Sequence, residues 1–276
     1  MFIEKIDIIP SAAILALIVT WLLHQANAAG SSLPSFPSWA LIAAFIALAL
    51  AITYTQRLSK KGKQKSLSFI THFGAWLPIS ALFWQLYFWD YLNGRWAQES
   101  TLFTGKMSII LLFLSLAVTP FMTLFNWREL NPLRKPLGNY AFILVCTHLL
   151  IFTYDYGYLD GSLLVGLAFN EAVTKQYALV GLIAFILLIP LAATSNKWSI
   201  KRLKKNWKKL HQLVYLIGML AAAHYIWVWT AKRAFTEPFI YAVILFFLLL
   251  IRVKPIKKRI INVRQRWAKW RRTIMA

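Results

Sequence analysis

Five histidines, His24, His72, His148, His211 and His224, lie within or at the ends of apolar stretches of this 276-residue chain. An ionisable side chain inside a membrane helix is costly without a partner, so each is a candidate for function. Neutral imidazole binds iron well, and two imidazoles from facing helices suffice to grip one haem iron from both sides. His148, in GNYAFILVCTHLLIFTYDYG, stands about eleven residues from the basic end of its stretch, roughly 16 Å along a helix and so near mid-membrane. His211 and His224 share WKKLHQLVYLIGMLAAAHYIW, and about thirteen residues put roughly 20 Å between them. They belong to opposite leaflets, with His224 near the depth of His148 and His211 near the basic surface. The expectation is that His148 and His224 meet as the two axial ligands of one haem.

Small residues support that pairing: Gly218, Ala221, Ala222 and Ala223 beside His224, and Gly138 on the other helix, leave room for a flat macrocycle or, equally, serve close helix packing. His211 is a candidate ligand for a second, inner haem, although about thirteen residues make roughly 3.6 turns, so it does not project in the direction of His224. Fourteen positions before His148, on the same helix face, stands Arg134. Arginine keeps its proton and is a poor iron ligand, but it suits a propionate or a flavin phosphate. The inner site is therefore either a weaker haem or a polar cofactor held by His211, Arg134 and Lys135. His72, six residues before Pro78 in THFGAWLPIS, reads as a packing or interfacial residue, with quinone contact as the sharper option. His24 reads as interfacial, at the outer end of its stretch.

The elements that must position these residues follow from composition. Hydrophobic residues make up 59% of the chain and charged residues only 14%, too few to clothe a water-soluble domain. Eight apolar runs, at about 9–25, 38–55, 67–89, 106–125, 137–156, 176–194, 210–230 and 238–253, approach the length needed to cross the hydrocarbon core. They must be helical, because backbone groups in lipid have no water to bond and the alternation of a barrel strand is absent. The fold class is all-α integral membrane, a bundle of about eight transmembrane helices.

Charge sets the orientation. Residues 56–66 carry five positives, 126–136 three, 195–209 seven and the tail from Arg252 ten, whereas the alternate connections hold most of the acids. Basic loops face the cytoplasm, so both termini are expected there, in a bacterial inner membrane. The net charge of +22 follows the same alternation and so reads as topology rather than as a nucleic-acid footprint. Ala26-Asn27-Ala28 after the first apolar run resembles a signal-cleavage site; cleavage there would leave seven spans. One cysteine, Cys146, allows no disulfide and no thiolate cluster. The tail, 256–276, has the composition of an amphipathic helix on anionic lipid and holds no nucleotide-binding loop.

With these residues on view, the chain resembles a known family. NWKKLHQLVYLIGMLAAAHYIW followed by EPFIYAVILFFLLLIR is similar to the haem-binding membrane subunits of the bacterial methionine sulfoxide reductase system, MsrQ or YedZ, within the ferric-reductase-like transmembrane superfamily. THFGAWLPIS, FTGK with the later AVTPF, RKPLGNYAFILVCTHL and LAATSNKW fall in the family's order, covering roughly 67–255. The resemblance implies a six-helix haem-binding core over 67–255, with His148, His211 and His224 at the family's histidine positions. It implies b-type haem, one or two, and bound FMN or quinone as further cofactors. It implies electrons drawn from a cytoplasmic flavin reductase or the quinone pool and passed to a periplasmic molybdopterin enzyme, MsrP. Two departures stand out: an extension over 1–56 with two spans, and Leu102 where the family has a histidine before FTG.

The expected activity is thus electron transfer by a subunit that lacks a flavin or nicotinamide domain of its own. A ferric or quinone reductase core with another acceptor uses the same scaffold. A proton-coupled transporter would need carboxylates in the middle of its spans, whereas Asp90, Asp155 and Glu237 lie at ends. A membrane anchor with packing histidines is the remaining alternative.

Overall fold

The computed structural model describes residues 59–84, 96–159, 162–163, 165–230 and 236–275. The extension over 1–56, its two expected spans, the possible cleavage site and His24 lie outside the described residues.

Among the described residues the chain is helical apart from one short hairpin with two residues in each strand. The first described helix, α1 (Lys60–Trp84), starts in the basic segment, where the Ser59 hydroxyl accepts the Gly62 N–H at 3.1 Å as an N-cap. The second, α2 (Trp96–Phe125), runs for 30 residues and ends at Asn126, which takes the left-handed conformation (φ 61°) that favours Asn or Gly past a helix end. A 3-10 turn over Arg128–Leu133 buries Leu130 and Leu133 and hands the chain to α3 (Arg134–Gly157). Tyr158–Leu159 then pairs antiparallel with Ser162–Leu163, and α4 (Val165–Thr174) lies beyond.

Next come α5 (Gln176–Ala193), α6 (Lys197–Leu203), α7 (Lys205–Leu210) and α8 (Leu213–Thr230). Asn196 caps α6 by accepting the Ser199 N–H at 2.7 Å. The last two are α9 (Thr236–Leu250) and α10 (Lys254–Met275), bent 75° to one another.

Among the described residues, α2, the 3-10 turn with α3, α5, and α7 with α8 are long and apolar enough to cross a membrane, and α9 with the first part of α10 makes a fifth if the bent pair counts as one. Helix α1 is not among them, and the span expected over 67–89 runs past Trp84 into residues outside those described, so four or five of the six spans expected over 67–255 pass on length and composition among the described residues. The run expected as one helix over 210–230 is broken at His211 and Gln212, and the connection between the spans expected over 137–156 and 176–194 carries the hairpin and α4.

Helix α2 is the pillar. More than half of its apolar window is buried, while the other spans turn most of theirs outward. Leu111, Leu112, Phe113 and Leu116 of α2 pack with Leu137, Tyr140, Ala141 and Leu144 of α3 and with Ile217 and Leu245. Outward side chains such as Leu150, Ile186, Phe246 and Phe247 are large and apolar, the surface a bundle shows to lipid rather than to water. Several hydroxyls within the spans bond back to their own helix, as Thr104 does to the Ser100 carbonyl (2.7 Å) and Thr123 to that of Thr119 (2.9 Å), and these are satisfied without water.

Candidate functional site

Helices α3 and α8 bring His148 and His224 together, and α2 and α5 hold them. The rings stand 6.3 Å apart between centroids with their planes at 83°. They line a cavity of about 280 Å³ formed by α2, α3, α5 and α8, with Ala172 of α4 also in its wall. Most of its exposed wall is apolar, including Leu112, Val145, Phe185 and Leu188, with Lys106, Asp155 and Tyr177 among its polar residues.

Each imidazole is oriented by a backbone carbonyl. Nδ1–H of His148 donates to the Thr101 carbonyl at 2.8 Å, and Nδ1–H of His224 donates to the Tyr177 carbonyl at 2.7 Å. Because a carbonyl only accepts, Nδ1 carries the proton in both rings and each Nε2 keeps its lone pair. A histidine prepared to bind a metal through Nε2 is held in this way, with the hydrogen bond fixing tautomer and ring direction.

A glycine one helical turn after each carbonyl makes the approach possible. The Cβ of a helical residue leans toward the N-terminus, over the carbonyl of the preceding turn. At Gly105 a Cβ would come within 3.0 Å of the His148 ring, and at Gly181 within 2.8 Å of the His224 ring. The second half-site repeats the first at a constant offset, Thr101 to Tyr177, Gly105 to Gly181 and His148 to His224, with the histidine 47 positions after the carbonyl in each. These four supporting positions are absent from the sequence reading. Gly105 lies in the quoted FTGK motif, yet the ring that needs it comes from another helix.

The donor set fits an iron porphyrin. Two imidazoles on one metal, with bonds of about 2.0 Å and ring atoms roughly 1.1–1.2 Å from their centroids, would place those centroids roughly 6.2–6.5 Å apart, as found for this pair.

The expected spacer residues divide differently. Ala221 lines the cavity, but Gly218 packs against Leu116 and Leu245, and Gly138 faces the Ser115 hydroxyl. Both glycines serve helix packing, and Gly105 and Gly181 make the room instead.

His211 and Arg134 lie outside this cavity. His211 caps α7, its ring stacked on Trp207 at 4.0 Å and its Nε2 3.1 Å from the Thr194 hydroxyl. That hydroxyl donates to the Pro190 carbonyl at 2.6 Å, so it accepts from Nε2–H, and the Trp207 indole N–H donates to the Thr194 carbonyl at 3.0 Å. Arg134 opens α3, its carbonyl accepting from Ser115 at 2.9 Å. Beside Ser115, the Leu116 carbonyl accepts from Arg252 at 2.5 Å, and Arg252 also donates to the Tyr215 hydroxyl at 3.0 Å. Arg134 and Arg252 thus converge on adjacent residues of α2, and Arg252 has no counterpart in the sequence reading of the site. His72 bonds the Tyr140 hydroxyl at 2.9 Å, a contact between α1 and α3 away from the cavity.

Comparison with known proteins places the chain among haem-binding membrane subunits. The family described as "Ferric reductase like transmembrane component" matches residues 104–222, a stretch that holds Gly105, His148, Tyr177 and Gly181 and stops short of Thr101 and His224. The chain is 38% identical over 165 residues to the protein-methionine-sulfoxide reductase heme-binding subunit MsrQ of Herminiimonas arsenicoxydans, covering 59% of this chain and 74% of that protein. It is 38% identical over 198 residues to the protein of the same name from Xanthomonas campestris, covering 67% and 87% respectively. The like-named protein of Yersinia enterocolitica is 36% identical over 163 residues. No solved structure matches the chain.

Proposed function

Since the chain belongs to the MsrQ family of haem-binding membrane subunits, we propose that it carries electrons across the membrane through b-type haem held by His148 and His224. The observation that carries this reading is the pair of opposed imidazoles whose Nδ1–H groups are both committed to carbonyls while both Nε2 atoms keep their lone pairs. Haem, when bound, supplies one-electron chemistry, and its potential is set by axial ligands, burial and nearby charge.

The protein's part is to orient and to exclude. Thr101 and Tyr177 hold the rings by their carbonyls, Gly105 and Gly181 admit them, and Leu112, Val145, Phe185 and Leu188 keep water from the cavity. Lys106, ion-paired with Glu237 at 2.5 Å, supplies the cationic side chain of the cavity wall.

Basic segments on the cytoplasmic side of an inner membrane place the His148–His224 pair in the outer half and His211 in the inner half. Electrons then enter from a cytoplasmic flavin reductase or from quinol and leave to a periplasmic acceptor, a molybdopterin methionine sulfoxide reductase of the MsrP kind. His211, with its Nε2 occupied by Thr194, is set better for a polar inner cofactor than for iron. With Arg134 and Arg252 near the same end, that cofactor is an anionic one such as FMN, bound through its phosphate.

The test is a reduced-minus-oxidised spectrum of purified protein. A b-type signal that disappears in His148→Ala and in His224→Ala supports the assignment; full signal in both variants overturns it.

A further inference from the structure

Helix α10 lies off the axis of the bundle, and much of one of its apolar faces is exposed. It leaves the short α9 at 75°, so it does not continue the span but turns aside at the basic end. Arg264 pins it there, donating to the Thr123 carbonyl at 2.6 Å and the Met122 carbonyl at 3.3 Å in the last turn of α2. The Met122 carbonyl already accepts from the Asn126 N–H at 3.1 Å, and the shorter bond from Arg264 goes to Thr123, in the last turn where carbonyls run out of intrahelical donors; the contact fixes the height of α10 at the end of the central helix.

At 100° per residue, Ile256, Ile260, Val263, Trp267, Trp270 and Ile274 fall on one narrow stripe. Ile256 and Ile260 are partly covered, whereas Val263 (52%), Trp267 (61%), Trp270 (56%) and Ile274 (62%) are exposed. The remaining faces carry nine Lys and Arg and no carboxylate. Partly covered at its root and bare beyond it, the stripe is an exposed apolar surface, and the charges around it call for an anion.

We propose that α10 is an in-plane membrane helix whose Val263–Ile274 stripe enters the acyl boundary and whose Lys and Arg bind anionic phospholipid headgroups of the surrounding leaflet. Tryptophan and isoleucine inside, with basic side chains flanking them, is the chemistry of such helices. The charge pattern selects lipid over a second copy of the chain, since two such helices would set nine positives against nine. Held this way, α10 sets the tilt of α9 and the position of Arg252 just before it.

The experiment uses the full chain in a Cys146→Ala background, spin-labelled at Trp270→Cys on the stripe or Lys269→Cys on the opposite side. It is reconstituted in nanodiscs of phosphatidylcholine alone or mixed with phosphatidylglycerol. In the mixture, the label at 270 is expected to favour oxygen over an aqueous nickel chelate and the label at 269 the reverse, with the contrast weaker in phosphatidylcholine alone. Equal nickel access at both sites in the mixture overturns the proposal. So does spin–spin broadening at 270, which marks a second copy on the stripe, or a contrast indifferent to lipid charge. A label at Trp267→Cys, expected to behave as 270 does, provides the same reading should the first variant fold poorly.

Discussion

The imidazoles of His148 and His224 stand at 6.3 Å with planes crossed at 83°, each turned by a carbonyl of a third helix rather than by its own. Thr101 and Tyr177 lie on α2 and α5, so four helices are needed to specify two rings. The crossing angle is a consequence of that support, because each carbonyl fixes its ring independently of the other.

Crossed planes have a spectroscopic signature. When axial imidazoles are perpendicular, neither of the two iron d-orbitals that bond with them is favoured, and the ferric low-spin centre becomes strongly anisotropic. The expected electron paramagnetic resonance spectrum of oxidised protein is a broad, single-featured low-field signal. A well-resolved three-line rhombic spectrum, the sign of parallel rings, would contradict the geometry.

Gly105→Ala and Gly181→Ala each drive a methyl into a histidine ring, at 3.0 and 2.8 Å. Overpacking of this kind costs about 1–3 kcal/mol, here taken from ring orientation. Both variants are expected to lower haem content or shift its potential, while Gly138→Ala, whose Cβ meets only the Ser115 hydroxyl at 3.7 Å, retains the wild-type spectrum. Haem-to-protein ratio and a redox titration measure both effects; wild-type values in the first two variants would remove the glycines from the site.

Deleting histidines separates the two ends. His148→Ala and His224→Ala are expected to abolish most haem absorbance, and His72→Ala, which loses a bond to Tyr140 away from the cavity, to leave it intact. His211→Ala opens the Trp207–Thr194 clamp and is expected to reduce electron entry from the donor with little loss of the b-type spectrum. Stopped-flow reduction of reconstituted protein distinguishes slow entry from missing haem.

Depth made the histidine pair legible. A fixed rise per residue and alternating loop charges are enough to bring His148 and His224 to one level without any knowledge of packing. Their supports were not legible, because a backbone carbonyl has no residue type and a glycine does not announce which distant ring it admits. The break at His211–Gln212 falls in KKLHQL, a run whose apolar pattern continues through it, so periodicity gave no sign of it. Arg252 reads from sequence as one more basic residue of the tail, and only its bonds to Leu116 and Tyr215 place it with Arg134. The amphipathic tail was legible for the opposite reason: six apolar residues at helical spacing amid nine cations are a local pattern, complete within α10.

Lys106 and Glu237 form an ion pair beside the cavity, with Lys106 among its lining residues. As a neutral pair they exert little net field on the cavity, so removing either partner leaves a charge of opposite sign. Glu237→Gln frees a cation, which favours the reduced haem, and the midpoint potential is expected to rise; Lys106→Gln frees an anion, and the potential is expected to fall. For a charge separated from iron by an effective dielectric near 20, the shift is on the order of tens of millivolts. Because Glu237 is partly exposed, the loss of pairing should change stability by no more than about 1 kcal/mol. Potentiometric titration of both variants therefore reads charge rather than unfolding. Shifts of the same sign would mean that the variants act through packing, and no shift in either would place the haem out of reach of this pair.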